Sequence, residues 1–118
     1  MQYLLLIYAN EQIAANMSPT EGEQIFREYI EYTEAIKASG HLRGGDPLEP
    51  TSKATTVRVR DGKTVTTDGP FAETREQLGG YYLVEAADLD EAIKLAARIP
   101  DARYGSIEVR PVMPVPGM

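Results

Sequence analysis

The chain has no cysteine, no tryptophan, one histidine and only two phenylalanines among its 118 residues. Without cysteine there is no disulfide framework, no thiol nucleophile and no Cys-ligated zinc. That usage fits a reducing, cytoplasmic setting. A single histidine leaves a zinc site short of ligands, so no metal site is expected. Positive charge is also scarce: 12 Lys and Arg stand against 18 Asp and Glu, a net charge of -6. Binding to a phosphate backbone needs clustered cations, so a nucleic-acid partner is not expected. No apolar run is long enough to cross a bilayer, so no membrane association is expected either. The greasy start, Met1 to Tyr8, has no basic leader and no small-residue cleavage site, and reads as a strand rather than a signal peptide. Ser18, Ser39, Ser52 and Ser106 lie in no nucleophile elbow. There is no phosphate loop or dinucleotide fingerprint, so no cofactor is expected.

What is present suffices for one domain, residues 1–118, with a single core that needs no covalent staples. Tyr3 to Tyr8 is apolar on both alternating sets, which predicts a strand covered on both faces. Ser18-Pro19-Thr20-Glu21 combines a cap, a proline at the first helical position and a capping-box glutamate. The helix it opens should run from Pro19 to Ser39, with Gly40 just beyond its end. Ile25, Tyr29, Tyr32 and Ile36 form its apolar stripe, widened by Phe26 and Thr33. His41 to Leu48 reads as a short strand made irregular by Gly44-Gly45.

Two strand-like runs, Thr55 to Arg60 and Lys63 to Thr67, flank Asp61-Gly62 and predict a hairpin. A two-residue loop sets Arg60 opposite Lys63. A three-residue loop with a bulge at Gly62 sets Val57 opposite Val65, and valine packing favours this second register. Gly79 to Ala86 is a further strand, apolar on both faces. Asp88 caps a second helix, whose acidic first turn accounts for Asp88, Asp90 and Glu91 without a bound cation. Leu89, Ala92, Ile93, Ala96 and Ile99 should face inward, and Pro100 should stop it. Tyr104 to Arg110 is the last strand, followed by an extended proline-rich tail.

The element order is β-α-β-(β-hairpin)-β-α-β. This predicts a ferredoxin-like α+β fold, an antiparallel sheet with two helices on one face. The first and fifth strands are apolar on their second face too. A second copy of the chain, packed sheet to sheet, is the economical cover, and predicts a homodimer in the form of a dimeric α/β barrel. The alternative is a monomer whose hairpin and tail cover that face.

Asp68-Gly69-Pro70-Phe71 sets a carboxylate, a permissive glycine, a rigid proline and a large aromatic side by side. Pro70 stiffens the exit from the strand and aims Asp68 and Phe71 in defined directions. Asp68 is therefore a candidate catalytic acid or base, with Gly69, Pro70 and Phe71 as a substrate-binding wall. The alternative is a plain turn, with Asp68 capping backbone amides and Phe71 plugging the core. His41 has the only near-neutral side chain and is the candidate catalytic partner of Asp68, or else a surface residue at a helix end. Arg43 could orient an anionic group. Tyr29 and Tyr82 could supply hydroxyls to a buried site, or serve as core residues with wet tips.

The run from Asp68 to Thr74, followed by Glu76-Gln77-Leu78-Gly79-Gly80-Tyr81-Tyr82, resembles the signature of the DGPF-domain branch of the YCII-related family. Tyr3 to Tyr8, Gly44-Gly45-Asp46-Pro47-Leu48 and Tyr104 to Pro111 match the same pattern, so the resemblance covers nearly the whole chain. It implies a small bacterial, cytoplasmic protein forming a dimeric α/β barrel, with an active-site cleft near the Asp68 loop. It further implies relatives that are cofactor-free isomerases, dehalogenating enzymes and small monooxygenases. An association with extracytoplasmic-function sigma factors is implied too. Many relatives are thought to pair an aspartate with a histidine on the first helix. Here that helix carries none, and Tyr29 falls near the equivalent place. The resulting expectation is a small-molecule-binding protein or cofactor-free enzyme with an acid/base cleft around Asp68. The alternative is a non-catalytic dimeric regulatory module coupled to a sigma factor.

Overall fold

The computed structural model describes residues 1–117. The elements run β1 Gln2–Ala9, α1 Glu11–Ala15, α2 Pro19–Ala38, β2 Leu42–Pro47, β3 Thr55–Arg60, β4 Lys63–Asp68, β5 Gln77–Glu85, α3 Leu89–Ala97 and β6 Ser106–Pro111. Short 3-10 turns at Thr51–Lys53 and Pro100–Arg103 join them. Strands β2, β5, β1 and β6 form one antiparallel sheet in that order, while β3 and β4 pair only with each other. This is the expected ferredoxin-like arrangement. Among the described residues, no helix is long and apolar enough to cross a membrane.

The alternation of β1 decides where the core sits. Tyr3, Leu5 and Ile7 are buried with Val84 of β5 beneath Tyr32 and Ile36 of α2 and Ala92, Leu95 and Ala96 of α3. Both long helices therefore cover one face. Helix α2 begins on the expected capping box, with Glu21 N–H donating to Ser18 Oγ at 3.2 Å and Ser18 N–H to Glu21 Oε1 at 3.4 Å. It ends in a Schellman motif, in which His41 N–H donates to Ile36 and Gly40 N–H to Lys37.

The other sheet face carries Leu4 beside Leu83 and Leu6 beside Tyr81, all only half-buried. The molecule is 19 Å thick along its shortest axis, which leaves room for one sheet and one helix layer. Among the described residues, neither hairpin nor tail adds a third layer to that thickness.

The β3–β4 hairpin is an arm that projects from this body. The radius of gyration is 16.3 Å, against about 13.5 Å for a compact chain of this length. Glu11 ties down its root: the carboxylate accepts from Thr51 N–H at 2.8 Å and from Thr51 Oγ1 at 2.5 Å, while Glu11 N–H donates to Gln77 at 2.9 Å.

Three expectations are corrected. The hairpin adopts the two-residue register, with Arg60 opposite Lys63 and Val57 opposite Thr66. Asp61 and Gly62 have φ of 52° and 73°, the positive pair of a type I′ turn, whose twist matches the strands. Val57 and Val59 are 60% and 62% exposed, so no burial rewards the valine-on-valine register. In α3 the buried stripe is Ala92, Leu95 and Ala96, continued by Ile99 just beyond its end, while Leu89 and Ile93 lie at its flank and are half-exposed. The third is α1, absent from the sequence reading. Its five residues are too few to show a period, and Asn10 Oδ1 caps it by accepting from Gln12 N–H at 2.9 Å.

Candidate functional site

The first half of α2 does not reach the core. Phe26 and Ile30 are exposed, 66% and 49%, and with Tyr29 they overhang the end of the sheet. The space beneath is a cleft of about 480 Å³. Ile7 and Ala9 of β1 form its floor, with Gly45 and Pro47 of β2 and Gly79 and Gly80 of β5. That end of the sheet is irregular. Ile7 pairs with Gly80 and Tyr8 with Leu78, so Gly79 is bulged out. Bulges bend a strand away from its neighbours. Here Gly45, Gly79 and Gly80, with no side chains, keep the floor low.

The polar groups of the cleft come in pairs. Tyr29 donates its hydroxyl to Asp101 Oδ2 at 2.5 Å. Asp101 arrives on the Pro100–Arg103 turn, directly after the proline that follows α3. Tyr82 and Thr33 share a hydrogen bond of 2.7 Å between their hydroxyls. Glu34 completes the polar lining, while Tyr81 and the Asp46 carboxylate to which it donates at 2.7 Å project from the sheet's other face, with Leu6. Burial, then the bond to Asp101, pushes the Tyr29 hydroxyl's pKa well above its ordinary 10.0. Burial also raises Tyr82, against the lowering effect of its bond to Thr33. Both hydroxyls are neutral at physiological pH and act as hydrogen-bonding groups.

Of the residues picked from the sequence, Tyr29 and Tyr82 meet in this cleft. The others lie apart from it within one chain. Asp68 ends β4 opposite Thr55, exposed, and its carboxylate makes no hydrogen bond among the described residues. Gly69, at φ 102°, turns the chain, donating its N–H to Ala54 at 2.7 Å and accepting from Thr56 Oγ1 at 2.9 Å. Pro70 is exposed, and Phe71 is 80% exposed. The loop is therefore neither a backbone cap nor a core plug. His41 contacts Ser39 Oγ through Nδ1 at 2.6 Å and Glu91 Oε1 through Nε2 at 3.1 Å. Arg43 donates to the carbonyls of Gly40 and Leu42 at 2.8 and 3.1 Å. Both sit past the C-terminal end of α2 and line no part of the cleft.

Asp101, Glu34 and Ile30 carried no signal in the sequence. Asp101 follows a helix-stopping proline, where an acidic residue is unremarkable, and its contact with Tyr29 spans 72 positions. Among the described residues no group of three or more His, Cys, Asp or Glu could hold a metal ion.

A ferredoxin-like sheet with a glycine-floored cleft under its first long helix defines a class of small α+β proteins. The chain belongs to the YCII-related family, whose domain model matches residues 1–116. It is 40% identical over 114 residues to an uncharacterized protein of Rhizobium meliloti (strain 1021), covering 95% of this chain and 92% of that one. Its fold is similar to that of 5-chloro-2-hydroxyhydroquinone dehydrochlorinase from Burkholderia phenoliruptrix AC1100, solved in complex with 2,5-dihydroxybenzoquinone. The TM-score is 0.53, with 16% identity over 96% of this chain and 94% of the other. At that identity the likeness is one of fold.

Proposed function

We propose that this protein binds a small, largely apolar organic molecule in the α2–sheet cleft and acts on it without a bound cofactor. The observation that carries this reading is the cleft itself. Its 480 Å³ falls in the range of small-molecule sites, and apolar walls with a few paired hydroxyls and carboxylates are what such sites use. A fold neighbour that is an enzyme solved with a six-membered ring compound supports the same reading.

The working unit in this proposal is a cytoplasmic homodimer, joined through the open face that carries Leu4, Leu6, Tyr81 and Leu83. The half-buried pairs Leu4–Leu83 and Leu6–Tyr81, on a sheet whose helices cover only one face, support it. Asp68 is kept as a proton-handling group. Its carboxylate is free and exposed beside a solvent-facing Phe71 at the root of the arm, where a second copy or a ligand can meet it. Two substitutions test the assignment, scored by binding and turnover of hydroquinone and related uncharged rings on the wild-type chain and each variant. Tyr29→Phe is expected to weaken binding. Asp68→Asn is expected to leave affinity intact and to abolish any turnover. Unchanged affinity in Tyr29→Phe would remove the cleft from the proposal, and unchanged turnover in Asp68→Asn would remove Asp68.

The regulatory reading, a non-catalytic dimer coupled to an extracytoplasmic-function sigma factor, has one observation in its favour. The arm presents Val57 and Val59 to solvent, a β-branched surface suited to a protein partner. Recovery of a sigma factor on the wild-type chain but not on a Val57→Lys, Val59→Lys variant would favour it.

A further inference from the structure

The hydrogen bonds around the cleft fix which way its polar groups face, and this bears on what it can hold. An ionised carboxylate only accepts, so the Tyr29–Asp101 bond must be donated by the phenol. Tyr29 has thus spent its one proton on Asp101. Toward a ligand, this phenol oxygen offers lone pairs alone. Thr33 and Tyr82 use one of their two protons between them, leaving a single free hydroxyl donor.

Charge points the same way. The carboxylates of Glu34 and Asp101 lie in the lining, that of Asp46 is turned to the sheet's other face with Tyr81, and no Lys, Arg or His lines the space. Arg103, two residues past Asp101, donates to Glu28 at 2.7 Å and stacks 5.2 Å from the ring centroid of Tyr104, so it is engaged outside the lining. The two carboxylates stand on different elements, with no metal-sized cluster among the described residues. An anion entering this space meets two negative charges and almost no donor. A cation meets carboxylates, phenol lone pairs and the aromatic faces of Phe26 and Tyr29, all of which attract it.

Building on the cleft-binding reading above, we propose that the α2–sheet cleft is selective for a protonated amine on an apolar or aromatic body, with Asp101 as its carboxylate partner. The side chain of Asp101 has acceptor capacity left after Tyr29, since a carboxylate offers about four lone-pair sites. The Tyr29 bond holds it in place.

The test is calorimetric titration of the full chain at neutral pH with three probes of similar shape: 2-phenylethylamine, 2-phenylethanol and phenylacetate. The amine is expected to bind at least about tenfold more tightly than the alcohol, with the acid weakest. Asp101→Asn is expected to bring the amine down to the level of the alcohol and leave the alcohol unchanged. Should that variant fail to fold, Glu34→Gln, a change on the helix surface, is expected to weaken the amine by about two- to fivefold and spare the alcohol. If the alcohol or the acid binds as well as the amine, the proposal is overturned and the cleft remains a binding site. If none of the three binds, the cleft-binding reading falls and takes the proposal with it.

Discussion

Tyr29 and Asp101, from the middle of α2 and the turn before β6, meet with 2.5 Å between their oxygens. The bond closes one wall of the cleft and fastens the first long helix to the last turn. A charge-assisted hydrogen bond in a half-buried place is worth about 1.5–3 kcal/mol. Tyr29→Phe is expected to lose about 2 kcal/mol of stability in denaturant titration. In a double-mutant cycle with Asp101→Asn the two losses should be strongly non-additive. Additive losses would mean that the two groups do not interact in solution.

The same tyrosines set an alkaline limit. Burial first, with further contributions from neighbouring groups, raises the pKa of Tyr29 and Tyr32, and burial raises Tyr82. A folded-state pKa raised above the unfolded value leaves stability intact below the unfolded pKa, here the ordinary 10.0. Above it the unfolded chain releases protons that the fold retains, and stability falls as pH rises. Phenolate absorbance is expected to show these tyrosines ionising together with unfolding, above pH 10. Their titration from an intact fold at an ordinary pKa would contradict the burial described here.

The open sheet face makes a prediction about assembly. Leu6 lies between Tyr81 on β5 and Glu108 on β6. Leu6→Glu should turn a dimer into a monomer in light scattering, with a melting temperature close to that of the isolated wild-type protomer. A wild-type chain that is monomeric at all concentrations would remove the proposed interface.

Core truncation should be costly on the opposite face. Leu5 and Ile36 are fully buried against each other's elements. Either residue changed to alanine is expected to lose roughly 2–5 kcal/mol. Leu89→Ala, at a half-exposed flank of α3, is expected to lose about 1 kcal/mol or less. Equal losses at Leu89 and Leu5 would mean that α3 is rotated from the position seen here.

Much of the fold was written in local chemistry. The Ser18-to-Glu21 capping box and the Gly40 terminus bracket α2 because both act within one helical turn. The doubly apolar alternation of β1 marked a strand with two faces to cover, of which the helices cover the one bearing Tyr3, Leu5 and Ile7. The hairpin register escaped because register is strongly specified only where one face is buried, and neither face of the arm is. The flank of α3 escaped because Leu89 and Ile93 are as apolar as Leu95, and only the position of the sheet tells them apart. The site was half legible. Tyr29 and Tyr82 stood out by residue type. Their setting depends on Asp101, which reaches Tyr29 only after the whole chain has folded back, and on a floor made by strand irregularities. The acidic Asp68 loop drew notice through its composition, and the structure places it on the arm, outside the cleft of its own chain.

The strand order β2-β5-β1-β6 carries a consequence for biosynthesis. Strand β1 pairs with β5 and β6, and β2 pairs with β5 alone. No two strands of the main sheet that precede Gln77 are partners; until β5 leaves the ribosome, only the β3–β4 arm can close. The buried row Tyr3, Leu5 and Ile7 therefore stays without a strand partner on the nascent chain until β5 is made, and a chaperone that shields it would act on β1.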